Sequence, residues 1–153
     1  MVQESLQLAS QELKRADHSI AVSLKYTRTV DVIKSIIERL INTISCCMDV
    51  LLKHAKAQKK IAEVPSLPRL KVDAIRSLFG SDQMIKEFCE FYLLLRRIDK
   101  AKFDRAQEYR RHVTMTAHLD GGEKIEITID IISDYFEKTK DFLSYVAKLV
   151  HGE

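Results

Sequence analysis

Between residues 28 and 61, apolar side chains recur in steps of one, three and four without a break: Val30, Ile33, Ile36, Ile37, Leu40, Ile41, Ile44, Met48, Leu51, Leu52 and Ala55. All of them fall on one face of an α-helix. At 1.5 Å of rise per residue such a helix is about 50 Å long. A stripe of that length has to be covered by several other elements at once, so it predicts the central pillar of a helical bundle. Its Ile and Val are mediocre helix formers, so packing rather than local propensity must hold it.

The remaining segments supply the covering elements. Residues 3–25 carry Leu6, Ala9, Leu13, Ala16, Ile20 and Leu24, an amphipathic stripe in steps of three and four. "EVPSLPRL" holds both prolines and predicts a loop, with Pro68 opening a short helix near 69–79 and Ser66 as its cap. Gly80 ends that helix, and Ser81 or Asp82 caps the next. Met84, Ile85, Phe88, Phe91, Tyr92, Leu95 and Ile98 then predict a helix running to about Arg111, with a bend near Asp99.

After that the period switches to two. Val113, Met115, Ala117 and Leu119 alternate with Thr114, Thr116 and His118, and Ile125, Ile127 and Ile129 alternate beyond Asp120-Gly121-Gly122. This predicts a β-hairpin over about 113–129 with one apolar face, which must lie on the bundle or on another chain. Asp130 is placed to cap a final helix with Ile132, Tyr135, Thr139, Phe142, Val146 and Leu149 on its seam. The expected fold class is all-α: an up-and-down bundle of four long helices and a short one, carrying one small hairpin before the last helix.

At 153 residues and 46% hydrophobic content the chain can bury a single core without staples, so one domain over 1–153 is expected. Its N-terminus has acidic and polar residues where a signal peptide would be basic and then apolar, and no apolar run is long enough to span a membrane. A cytoplasmic protein with no membrane contact is the expectation. Three cysteines (Cys46, Cys47 and Cys89) without CxxC spacing suit neither a disulfide framework nor a zinc site, and are expected to be buried thiols.

No phosphate-binding glycine loop, GxSxG elbow, HExxH or Glu-x-x-His pair is present, so no metal and no cofactor is expected. What remains is a set of cations around the period switch. Arg105 precedes His112 by seven positions, and Arg111 precedes His118 by the same step. A histidine can move a proton near neutral pH, and a guanidinium can stabilise charge developing on phosphate. On a continuous helix Arg105 would lie about 10 Å below the corner that holds His112. The plainer reading has His112 satisfied at a helix C-terminus and His118 exposed on a strand.

The helical order, the proline-bearing loop after the long second helix, the closing helix "ISDYFEKTKDFLSYVAKLV" and the Arg-x6-His spacing together resemble the HEPN superfamily. That resemblance implies a small helical-bundle protein directed at RNA or nucleotides, either a metal-independent ribonuclease, with Arg105 and His112 as its candidate catalytic pair, or a non-catalytic relative of a toxin–antitoxin system. It also implies a homodimer with motifs facing a shared cleft, and a nucleotidyltransferase-type protein partner.

Charge adds a second candidate site. From 96 to 111 the chain has seven Lys or Arg against Asp99, Asp104 and Glu108, a local excess of four that exceeds the whole chain's net +3. Arg96, Arg97, Lys100, Arg110, Arg111 and His118 are the candidate RNA-binding residues, tracking a phosphate backbone. The alternative is a solvated helical face in which Asp99 pairs with Arg96 and Asp104 with Lys100. The alternative function is a non-enzymatic interaction module that oligomerises through its first or last helix, where Phe136, Leu143 and Val150 widen the apolar stripe.

Overall fold

The computed structural model describes residues 2–151; Met1, Gly152 and Glu153, the ends of the expected 1–153 domain, lie outside the described residues. Helix α1 (Val2–His18) runs on through a π-helical turn (Ser19–Ser23) into a short last turn (Leu24–Tyr26). The stripe itself explains the π turn. From Ala16 to Ile20 to Leu24 it takes two successive steps of four, which drift around a helix of 3.6 residues per turn. A wider turn brings the stripe back, and Leu24 ends 1% exposed.

Helix α2 (Val30–Ala57) is the expected pillar, capped by Thr29, whose Oγ1 accepts the Val32 N–H. It packs along α1 most extensively and along the last helix next, and it touches the other two helices as well. Ile33, Ile36, Ile37, Leu40, Ile44 and Leu51 are fully buried along it. Helix α3 (Pro68–Leu78) begins on its proline as expected, but Leu67 rather than Ser66 occupies the cap position and no side chain caps it. Helix α4 (Gln83–Lys100) is capped by Asp82, whose Oδ1 accepts the Ile85 N–H. The other Asp82 oxygen accepts from the Tyr145 hydroxyl, tying the start of α4 to the last helix and raising the Tyr145 pKa, with burial adding to it.

The expected continuation of helix to Arg111 does not occur. Helix α4 ends at Lys100, and Lys102–Ala106 forms a strand, β1. After Leu95 and Ile98, the three-four rhythm would turn Lys102 and Arg105 into the core. The chain instead extends at Ala101 (ψ 152°) and pairs with the strand that follows. Strands β2 (Thr114–His118) and β3 (Lys124–Ile127) form the expected hairpin, and β1 makes it a three-stranded antiparallel sheet of order β1-β2-β3. Gly121 and Gly122 take φ of 78° and 80° in the turn, a region glycine enters without steric cost.

Register places Phe103, Arg105, Met115, Ala117, Ile125 and Ile127 on one face of the sheet, with Met115, Ala117 and Ile127 fully buried against the bundle. Lys102, Asp104, Thr116 and His118 share the outer face. Helix α5 (Ile129–His151) is capped by Thr128, whose Oγ1 accepts the Ile131 N–H, rather than by Asp130. Phe88 stacks on Phe142 at 4.1 Å between ring centroids, fastening α4 to α5. Phe136, Leu143 and Val150 are half-buried against the chain's own core. The molecule is a mainly α bundle with a small sheet before its last helix, and no described helix is long and apolar enough to cross a membrane.

Candidate nucleic-acid interface

Strand β1 decides what Arg105 can do. Facing Met115 in register, it points to the bundle side at the sheet edge and lies over the Phe103 ring, 5.3 Å from the centroid. Its guanidinium donates to Asp31 at 2.9 Å, at the start of α2, and lies 3.6 Å from Glu108. The Asp31 hydrogen bond, with both carboxylates' charge, raises its already high pKa further. The same corner is bolted twice more: Glu108 accepts the Val30 N–H, and the Tyr109 N–H donates to the Arg28 carbonyl at 2.6 Å. These anchors hold Gln107 (φ 56°) and Tyr109 (φ 65°) in the left-handed region, which non-glycine residues enter at a cost.

His112 and Arg111 lie elsewhere. They line a hollow of about 360 Å³ together with Arg28, Thr128, Ile129 and Asp130, and Arg105 does not line it. The continuous helix that was to bring Arg105 beneath His112 does not exist, so the pair does not share this cavity. His118 sits on the outer face of the sheet with its Nε2 2.6 Å from Asp104. Arg110 is exposed in the link between β1 and β2, its amide donating to the Gln107 carbonyl.

The structure does bring Arg96, Arg97 and Lys100 together. They line a groove of about 520 Å³ with Leu67, Pro68, Leu93 and Arg69, and no carboxylate is among these lining residues. Arg69, on the first turn of α3, is a member that the charge pattern of the sequence does not suggest. Arg97 and Lys100 also line an adjoining hollow with Ala101, His118, Leu119 and Asp120, so the basic track continues to the outer face of the sheet.

Two acids close to the groove cations in sequence, Asp99 and Asp104, are engaged elsewhere. Neither helical pair expected on a solvated face forms among the described residues. Asp99 accepts from Lys34 at 2.9 Å, and its backbone carbonyl accepts from the same ammonium at 2.6 Å. Asp104 is held by His118. The groove cations that do have partners hold them loosely at the surface: Arg69 to Asp73 at 3.9 Å, and Arg97 to Glu123 at 3.3 Å with side chains 51% and 58% exposed. Such pairs contribute little and exchange readily.

The thiols offer no competing nucleophile. Burial pushes the Cys47 thiol far above its ordinary range, and raises Cys46 and Cys89 as well. Among the described residues, no group of three or more His, Cys, Asp or Glu is placed to hold a metal ion. No protein-family model, curated protein or solved structure matches the chain.

Proposed function

We propose that this is a HEPN-like, cytoplasmic, RNA-directed protein that binds the phosphodiester backbone without cleaving it. The observation that carries this reading is the groove of Arg69, Arg96, Arg97 and Lys100, lined by no carboxylate and continuous with His118. Neutralising phosphates with such cations releases counterions, which gives sequence-independent affinity. The non-catalytic form is favoured because Arg105 is held by Asp31 and Glu108 and does not share a cavity with His112.

Anisotropy of a labelled single-stranded RNA, titrated with protein in EDTA across a KCl series, tests the proposal. With three or four phosphates neutralised, log K should fall with log salt at a slope of about −2 to −3. Arg96→Ala/Lys100→Ala should flatten that slope by about 1.4 while leaving the melting temperature unchanged. Equal affinity in the double variant would overturn the reading. EDTA-resistant cleavage that disappears in His112→Ala would replace it with a ribonuclease.

A second reading has one observation behind it. Leu67, which lines the same groove, is 60% exposed, and Leu70 in the first turn of α3 is 50% exposed. Apolar surface beside cations suits a protein partner, either a second copy in a homodimer or an acidic partner of nucleotidyltransferase type. Sedimentation of the wild type and of Leu67→Ser/Leu70→Ser separates the two: dissociation of an oligomer with RNA affinity intact favours the interaction module.

A further inference from the structure

Three segments remote in sequence meet at the hollow that holds His112. The link between α1 and α2 contributes Arg28, the link between β1 and β2 contributes Arg111 and His112, and the start of α5 contributes Thr128, Ile129 and Asp130. The positions are fixed from behind. The Arg28 carbonyl is bound by the Tyr109 amide, Val113 beside His112 is fully buried, and Thr128 caps α5.

Against this rigid frame, the cations stand unmatched. Among the described residues, the side chains of Arg28, Arg111 and His112 take part in no ion pair and no side-chain hydrogen bond. Arg28 Nε is buried and has no hydrogen-bond partner. A buried donor on a charged group without an acceptor costs free energy. Asp130 also lines the hollow but pairs with none of the three; it sits in the first turn of α5, where the helix dipole favours a carboxylate.

We infer that this hollow is a binding site for a phosphate group, either free phosphate or the phosphomonoester end of a small ligand. Two guanidiniums and an imidazole match a tetrahedral oxyanion, and Arg28 offers it the planar fork that a lysine lacks. A volume of about 360 Å³ leaves room for a sugar-sized substituent beyond the phosphate. The site does not depend on the basic groove or on RNA binding there.

Calorimetric titration of the full chain with inorganic phosphate and with ribose 5-phosphate, at constant ionic strength against chloride, tests it. Saturable binding is expected. Arg28→Lys keeps the charge and loses the planar guanidinium fork, and should weaken binding about tenfold, as should Arg111→Ala. Arg96→Ala/Lys100→Ala should leave phosphate binding unchanged, so this site and the groove fail or succeed separately. Tighter binding of ribose 5-phosphate than of phosphate identifies a phosphomonoester ligand, and equal binding identifies the free anion. Absence of saturable binding, or equal affinity in wild type, Arg28→Lys and Arg111→Ala with all three showing the same circular dichroism, would overturn the inference.

Discussion

Arg105 and the trio Arg96, Arg97 and Lys100, all members of one basic run, have opposite fates in this molecule. In the second half, Arg105 is taken up by Asp31 and Glu108 and serves to dock the sheet on the start of α2. In the first half, Arg96, Arg97 and Lys100 are joined by Arg69 in a groove that no carboxylate lines. Cations are about as dense along the chain in both, four in 96–103 and three in 104–111, so their density alone does not separate a structural cation from an available one. What separates them is where the neighbouring acids go. Lys34 draws Asp99 toward α2, and His118 draws Asp104 across the sheet, and the groove is left positive.

The strongest way to sharpen that contrast is at a matched cation that is also buried. Lys71 is 8% exposed, and its ammonium lies 2.8 Å from Asp49 and 3.3 Å from Ser45 on the pillar. Asp49→Ala leaves that ammonium without its counter-charge, at a cost of about 3 kcal/mol. For a chain of this size the melting temperature should fall by about 8 °C. Lys100→Ala, from the unmatched set, should leave it within error. A melting curve for Asp49→Ala that superimposes on wild type would mean the pair is not what holds α3 to α2.

A smaller effect is expected at the corner. Glu108 accepts the first amide of α2 and faces Arg105. Glu108→Ala removes a helix-end acceptor and should cost about 1 kcal/mol by chemical denaturation. Neither this variant nor Arg105→Ala should change RNA affinity, because the groove lies elsewhere. Weaker RNA binding in Arg105→Ala at unchanged stability would put the corner back among the binding residues.

How much of this was legible in the sequence depends on the range of the interaction. The pillar, the Asp82 cap, the Pro68 start and the glycine turn of the hairpin are short-range features, and periodicity or turn chemistry shows each of them. Strand β1 is long-range: "KFDRA" becomes a strand because β2 offers it an edge. One local sign of it was present. A helix continued past Ile98 would have turned Lys102 and Arg105 inward, and that mismatch marks the break. The separation of Arg105 from His112 follows from the same strand. Arg69 and Arg28 had no local sign at all, since each gains its neighbours only when distant segments meet. The π turn was readable only in hindsight, from two successive steps of four.

The smallest predicted effect tests the contrast at its boundary, where an acid does reach the groove. Glu123, just before β3, touches Arg97 at 3.3 Å with both side chains more than half exposed. An exposed pair of this kind contributes about 0–0.5 kcal/mol to folding, so Glu123→Gln should not move the melting temperature measurably. Its effect on RNA binding has the opposite sign from the loss expected of Arg96→Ala/Lys100→Ala. Glu123 competes with phosphate for the Arg97 guanidinium and adds a negative charge beside the track. Removing that charge should raise RNA affinity about two- to threefold at low salt, an advantage that fades as salt screens it. Anisotropy titrations of wild type and Glu123→Gln at two KCl concentrations measure both the gain and its screening. Unchanged affinity at low salt would place the RNA path away from Arg97 and confine it to Arg69, Arg96 and Lys100.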